Sequence, residues 1–182
     1  MSERYEIRFS GSWGQGLILA GVIFAEAATI YDKINAVQSQ SYGPEARGGA
    51  SKSEVIISDK TIDFPKAQAI DLQLSLTQES CTKYYKDIKG NGTLLVDEDF
   101  VKTIPEGTFK VIKMPIIRTA SEEIEKAFVA NIVALGAITA LTGKVTIESV
   151  EKAVLSRVPK GTEEMNKKAL RAGYEMAKAK MN

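Results

Sequence analysis

The sequence predicts a three-layer α/β domain with a mostly parallel sheet that is covered by helices on both faces. Short apolar stretches alternate with helical patterns through the first two thirds of the chain. A glycine-rich turn directly follows the first apolar stretch, and the last third is helical in pattern throughout. A chain of 182 residues suits one domain, so we expect a single domain over residues 1–182.

The predicted strands are short, and turns or helical patterns separate them. In chain order they cover Tyr5–Phe9, Asn35–Gln40, Glu54–Ser58, Asp71–Leu76, Thr93–Val96 and Phe109–Ile112, and Ile62 starts a further short strand. The predicted helices are Leu17–Tyr31, Gln78–Asp87, Ser121–Leu141, Ile147–Ser156 and Glu163–Lys180. The close spacing of strands near residues 54–64 predicts an antiparallel hairpin insertion, and Gly90-Asn91-Gly92 predicts a turn.

Composition excludes several classes of function. The 24 Lys and Arg residues balance 23 Asp and Glu residues, whereas a nucleic-acid binder normally carries a basic excess. The sequence has no histidine, which removes the usual general base near neutral pH and the commonest zinc ligand. Its single cysteine, Cys81, can neither form an internal disulfide nor hold an iron–sulfur cluster, which needs about four thiolates. We expect Cys81 to be an idle thiol rather than one activated near a helix start.

The sequence predicts a cytoplasmic protein. Its first residues, Met1 to Glu6, are charged and lack the apolar core of a signal peptide. No uninterrupted apolar run reaches the roughly 20 residues of a membrane span.

Two predicted helices are apolar almost all round. Only Gly21, Glu26 and Thr29 interrupt the apolar residues of the first, and the stretch from Ala127 to Leu141 is similar. A surface helix would show one apolar stripe. Each is therefore either a core helix packed on the sheet or a helix that a partner chain covers.

The glycine turn is the first candidate site, because backbone N–H groups at the start of a helix favour an anion. It reads Gly11-Ser12-Trp13-Gly14-Gln15-Gly16. Trp13 stands where the dinucleotide fingerprint has its second glycine, and no acidic residue ends the second strand, so an NAD site is disfavoured. Leu17-Ile18 replace the Lys-Ser/Thr of a P-loop, which excludes ATP or GTP hydrolysis. The turn either exposes amides to a ligand or only lets strand and helix pack closely.

The second candidate site follows the second strand and therefore lies at the same carboxyl edge of the predicted sheet. It spans residues 41–53 and contains Tyr42, Gly43, Pro44, Glu45, Arg47, Gly48 and Gly49. Arg47 could bind a carboxylate or phosphate bidentately, and Glu45 could orient it. The glycines and the proline favour a recognition loop over the alternative, a hairpin turn with solvated charges.

These two motifs resemble those of the gamma subunit of 2-oxoacid:ferredoxin oxidoreductases, and the resemblance covers nearly the whole chain. Family members read G-x-G-G-Q-G after the first strand and Y-G-x-E-x-R-G-G after the second, which correspond to residues 11–16 and 42–49 here. Asn131 matches an asparagine in a later apolar helix of the family; from the residues alone, it either satisfies a backbone group or contacts a ligand or partner. Trp13 departs from the family glycine and is itself a candidate contact residue. The form S-Y-G-P-E-A-R-G-G is most similar to 2-oxoglutarate or branched-chain 2-oxoacid members.

The resemblance implies a Rossmann-like module within a multi-chain enzyme. In that family thiamine diphosphate attacks a 2-oxoacid, CO2 leaves, electrons pass through iron–sulfur clusters to ferredoxin, and the acyl group ends on coenzyme A. The implied substrate is 2-oxoglutarate, with 2-oxoisovalerate, pyruvate and indolepyruvate as alternatives.

The resemblance also implies that the other subunits hold the thiamine diphosphate, Mg and clusters, and that this chain has no catalytic residue or metal ligand of its own. The implied partners are alpha and beta subunits, with delta as a further candidate, and the isolated chain is a candidate homodimer. Coenzyme A could contact the amides of Gly14 to Gly16 and a cation, Arg47 or Lys52. Two other classes stay open: a scaffold subunit that binds no ligand, and a free-standing nucleotide-binding dehydrogenase.

Overall fold

The computed structural model describes residues 4–41 and 49–182, and in this part of the chain six strands form one mixed sheet in the order β2-β3-β1-β4-β5-β6. The strands are β1 (Tyr5–Ser12), β2 (Asn35–Ser41), β3 (Ala50–Ser58), β4 (Ile70–Ser75), β5 (Ile88–Asp97) and β6 (Lys110–Met114). β1, β4, β5 and β6 are mutually parallel, and β3 is antiparallel to both β1 and β2. β2 therefore runs in the same direction as β1. The predicted α/β class is confirmed.

The antiparallel part of the sheet is β3, which pairs with β1 and β2, and not a hairpin at residues 54–64. The predicted strand at Ile62 is wrong. The Arg4 guanidinium donates to the carbonyls of Phe64 and Lys66, and the Glu6 carboxylate accepts from the backbone N–H groups of residues 68 and 69. These side chains give the loop its hydrogen-bond partners without a strand ladder.

The predicted turn at residues 90–92 is also wrong, because β5 continues through it. Ile70 pairs with Ile88, and two residues later Leu72 pairs with Thr93, so β5 bulges against β4 here. A Cβ on Gly92 would lie 3.0 Å from the carbonyl oxygen of Ile70, which explains the glycine at this close approach.

The described helices are α1 (Leu17–Glu26), α2 (Gln78–Tyr84), α3 (Ile116–Arg118), α4 (Ala130–Thr142), α5 (Ile147–Leu155) and α6 (Glu163–Met181). π-Helical turns extend α1 over Ala27–Tyr31 and α3 over Thr119–Glu123. The single helix predicted over residues 121–141 is therefore wrong in its first part. The chain breaks there because Glu125 adopts a φ of 62° and Lys126 is extended.

Helices cover both faces of the sheet, as predicted. Alternate strand residues such as Ile7 and Phe9 join the main core, to which α1, α4, α5 and α6 contribute. A smaller apolar cluster on the opposite face includes Cys81 of α2, Leu94 and Val101. This arrangement leaves the ends of the strands, rather than the faces, open to a ligand.

α4 is a core helix, as the first of the two alternatives predicts. Eleven of its thirteen residues are buried within the chain. Its Gly136 lies against the backbone of Leu170 in α6, and Gly173 of α6 lies against Val133, so close that a Cβ at either glycine would overlap a backbone oxygen. In α1 five of the ten residues are buried, and Leu19 is 40% exposed.

Throughout the ranges given above, no helix has both the length and the apolar character that crossing a membrane requires.

Candidate functional site

The two candidate motifs flank the same edge of the sheet. β1 ends at Ser12 and leads into the glycine turn, and β2, which runs in the same direction, ends at Ser41. β3 begins at this edge, where Ala50 pairs with Ser12. The predicted common edge is confirmed for these described flanks. Residues 50–53, predicted as loop, belong to β3; Tyr42, Gly43, Pro44, Glu45, Arg47 and Gly48 lie outside the described residues.

Gln15 holds the glycine turn from within. Its side-chain Oε1 accepts from the backbone N–H of Ser12 at 2.8 Å, and its own N–H donates to the Ser12 carbonyl at 3.3 Å. A Cβ on Gly11 would overlap this amide side chain, so Gly11 makes room for it. The Trp13 N–H donates to the carbonyl of Gly49 at 3.3 Å, which ties the turn to the end of the second motif.

Gly16 joins the turn to two helices. It adopts a left-handed conformation with φ of 75°, and its carbonyl accepts from the N–H of Ala20 at 3.0 Å. The buried Asn131 of α4 also donates its Nδ2 to this carbonyl, at 3.2 Å. Asn131 Oδ1 accepts from the N–H of Ile132 at 3.0 Å. Asn131 therefore satisfies a backbone group, as one of its two interpretations predicts, and its contact with a ligand or partner stays a prediction.

The start of α1 carries amides that suit an anion. The first turn of a helix leaves N–H groups without intrahelical partners, here those of Leu17, Ile18 and Leu19. Gly14, with φ of 90°, leaves open space where a Cβ would stand, and Trp13 is 59% exposed. The open hollow at this place has a volume of about 330 Å³. Its lining comprises Ser12, Trp13, Gly14, Gly16, Leu17, Ile18 and Ser51.

Behind this edge, Arg8 and Lys52 are engaged in a partly buried ion network. Lys52 Nζ lies 3.3 Å from Glu54 and stands over the ring of Tyr84. Arg8, which is 1% exposed, binds the same carboxylate at 2.8 Å and that of Asp87 at 2.7 Å. Because Glu54 neutralises Lys52, this lysine is a poorer phosphate ligand than the sequence suggested.

Two residues of α2 form hydrogen bonds with the start of β3, and the sequence did not predict them. The N–H of Ala50 donates to Glu79 Oε1 at 3.4 Å, and the Tyr84 hydroxyl donates to the Ala50 carbonyl at 3.2 Å. Both contacts join residues about thirty positions apart, so no local pattern could have revealed them. Together they fix the strand that follows the second motif.

Cys81 lies in the smaller core and is fully buried. Burial raises the pKa of its thiol, and a hydrogen bond with Ser75 opposes the shift. The expectation of an idle thiol, rather than an activated one, agrees with this direction. Within residues 4–41 and 49–182, no three His, Cys, Asp or Glu side chains form a group that could hold a metal ion.

Comparison with known proteins identifies the fold and its relatives. The family model for pyruvate ferredoxin/flavodoxin oxidoreductase matches residues 6–176. The 2-oxoglutarate synthase subunit KorC of Methanocaldococcus jannaschii is 59% identical over 96% of this chain and 95% of its own. A crystal structure of a keto/oxoacid ferredoxin oxidoreductase gamma subunit from Geobacter sulfurreducens is 59% identical, with a TM-score of 0.91 over 97% of this chain and 98% of that one.

Other similar proteins carry this fold within a longer chain. The ketoisovalerate oxidoreductase subunit VorA of Methanothermobacter thermautotrophicus is 28% identical over 94% of this chain but only 36% of its own. The 2-oxoglutarate:ferredoxin oxidoreductase of Magnetococcus marinus, solved with 2-oxoglutarate, coenzyme A and succinyl-CoA bound, has the same fold at a TM-score of 0.83, over 31% of its chain.

Proposed function

The chain belongs to the pyruvate ferredoxin/flavodoxin oxidoreductase family, and from this membership we propose that it works as the gamma subunit of a 2-oxoglutarate:ferredoxin oxidoreductase. It is a component of a multi-subunit oxidoreductase, and the resemblance to gamma subunits found in the sequence is confirmed. The observation that carries the proposal is the 59% identity, over nearly the whole of both chains, to a subunit of 2-oxoglutarate synthase. This membership replaces the hypothesis of a free-standing dehydrogenase.

The similarity also favours 2-oxoglutarate over the alternative oxoacids. The ketoisovalerate relative shares 28% identity, about half of the value for the 2-oxoglutarate relative. A substrate assay should therefore compare turnover with 2-oxoglutarate against turnover with the alternatives 2-oxoisovalerate, pyruvate and indolepyruvate.

The chemistry of decarboxylation and electron transfer belongs, in this proposal, to the partner subunits. Thiamine diphosphate with Mg and iron–sulfur clusters supply that chemistry when bound there. A sequence with one cysteine does not fit an iron–sulfur cluster as a resident group, because a cluster needs about four thiolates. The partners we propose are alpha and beta subunits, with delta as a further candidate, and ferredoxin meets this chain only through the complex.

We assign the glycine turn a contact with coenzyme A, whose phosphates suit the open amides at Gly14 and the start of α1. Its cation would be Arg47, since the Lys52 ammonium is paired with Glu54. Arg47→Ala in the assembled enzyme should raise the KM for coenzyme A several-fold without changing assembly, whereas Lys110→Ala, at the opposite edge of the sheet, should not. An unchanged KM with unchanged assembly would remove Arg47 from the proposal.

A scaffold subunit without any ligand is the alternative of another class. The observation in its favour is that contacts within the chain and the left-handed φ of Gly16 already explain the glycines: Gly11 lies against Gln15 and Leu17, and Gly16 lies against Asn131. Isothermal titration of coenzyme A into the chain, alone and within the complex, separates the two. Heat of binding that Arg47→Ala abolishes supports the contact. No heat from the chain alone, together with heat from the complex that Arg47→Ala leaves unchanged, supports the scaffold.

The proposed function is tested by reconstitution. The partner subunits, with and without this chain, are assayed anaerobically for ferredoxin reduction that depends on both coenzyme A and one oxoacid. We expect turnover only when the chain is present, and fastest with 2-oxoglutarate. Equal turnover without the chain would contradict a required subunit, and faster turnover with 2-oxoisovalerate or pyruvate would correct the substrate.

A cytoplasmic location and a homodimer of the isolated chain stay predictions.

A further inference from the structure

We propose that an apolar surface beside the glycine turn, formed by Trp13, Ile18, Leu19 and Phe128, is where this chain docks on the catalytic chain of its enzyme. The inference rests on the proposed function and adds the surface that performs it. Phe128 is 70% exposed, Trp13 59% and Leu19 40%. Large apolar side chains exposed together, rather than singly, mark an interaction site.

These residues line two neighbouring concavities. Ile18 lines the hollow beside Trp13, and Leu19 lines a second groove of about 320 Å³ together with Phe128. The remaining walls of that groove are largely apolar as well: Val129, Ile132, Val158, Pro159 and Met165. The hydrogen bond from Asn131 to the Gly16 carbonyl joins the two concavities at their boundary. Both therefore open beside the carboxyl edge of the sheet.

The charge of the surface indicates an apolar partner. Arg157 is the charged side chain of the second groove, and its guanidinium binds both carboxylate oxygens of Glu26, at 2.6 and 2.7 Å. This ion pair leaves the groove without a net charge from that arginine. The surface would thus accept aliphatic or aromatic side chains rather than an acidic segment.

The lengths of the relatives identify the occupant as a chain of the same enzyme. The corresponding region is 36% of the ketoisovalerate subunit VorA, where the chain itself holds this fold beside the remaining two thirds. In the KorC relative of Methanocaldococcus jannaschii, the matched region makes up 95% of a subunit. A subunit of that kind lacks a covalent tether, so buried surface must replace the effective concentration that a tether would supply.

A second copy of this chain is the competing occupant. A symmetric dimer through this surface would cover side chains that contact the catalytic chain in this proposal, including Trp13 and Ile18. Self-association and assembly of the enzyme would then compete.

The test uses the co-expressed complex. It compares replacements of exposed apolar side chains by acidic residues near the carboxyl ends of the strands and near their amino ends. Phe128→Asp and Leu19→Glu place a charge on the docking surface, at side chains whose exposure leaves the core intact. Phe64→Asp is the matched control, because Phe64 is 47% exposed and its carbonyl is bound by Arg4 at the opposite edge. Urea unfolding of each purified variant checks that the fold is unchanged.

We expect Phe128→Asp and Leu19→Glu to lower the recovery of partner subunits with the tagged chain at least ten-fold, and Phe64→Asp to leave it unchanged. Recovery equal to wild type in both surface variants would overturn the docking surface while leaving the subunit function standing. Self-association of the isolated chain that Phe128→Asp abolishes, with the complex intact, would likewise overturn it in favour of a second copy. If the wild-type chain recovers no partner, the proposed function falls as well.

Discussion

Replacing Gly16 by alanine should destabilise the chain more than the same change at a second left-handed glycine. Gly16 has φ of 75°, and a left-handed conformation costs an L-residue about 1–2 kcal/mol. Its new Cβ would also lie 2.5 Å from Asn131 Nδ2. Asn131 must then move and give up its hydrogen bond to the Gly16 carbonyl, which contributes about 0.5–1.5 kcal/mol. The sum is a loss of about 1.5–3.5 kcal/mol of unfolding free energy.

The control is Gly143→Ala at the end of α4. Gly143 has φ of 59° and no atom within 4 Å of the position of a Cβ, so only the backbone term of about 1–2 kcal/mol applies. Urea unfolding of both variants, with Asn131→Ala and the double variant Gly16→Ala/Asn131→Ala, isolates the contact as a coupling energy. The reasoning is refuted if Gly16→Ala costs no more than Gly143→Ala, or if the double-mutant cycle gives no coupling.

Three further changes test the packing and the buried groups. Gly136→Ala should lower the free energy of unfolding by about 2 kcal/mol or more, because the Leu170 carbonyl lies where the Cβ would be. Urea unfolding of the variant at the wild-type free energy would contradict that contact. Burial, aided by Asp71, raises the pKa of Tyr5 to about 12, above the value near 10 of an unfolded tyrosine. The contribution of Tyr5 to the free energy of unfolding should therefore be fully present below pH 10 and be lost as the pH rises toward 12. The free energy of unfolding should fall less over this range in Tyr5→Phe, and equal falls in the two proteins would contradict burial of the phenol. The buried thiol of Cys81 should react with a thiol reagent slowly in the native protein and rapidly in urea, and fast native reaction would disprove its burial.

Local patterns predicted most of the fold because they carry their own physical cause. The short apolar stretch Tyr5–Phe9 predicted a strand, and β1 covers it. The errors lie where distant contacts decide. Gly90 to Gly92 look like a turn in sequence but form a bulge, because β4 pairs with β5 on either side of them.

The candidate site was predicted in position more than in detail. The carboxyl edge followed from strand order, since β1 and β2 run in the same direction. The roles of individual side chains did not follow, because they depend on partners far along the chain. Asn131 binds a residue 115 positions away, and Glu79 and Tyr84 reach β3 across about thirty.

An anaerobic pull-down of the tagged chain from its own host, followed by mass spectrometry and a visible spectrum, tests the subunit assignment most directly. We predict that two or three partner subunits co-elute with brown iron–sulfur absorbance, and that the eluate reduces ferredoxin with 2-oxoglutarate and coenzyme A. A chain that elutes alone and colourless from cells in which the partner subunits are detectably expressed would contradict the assignment.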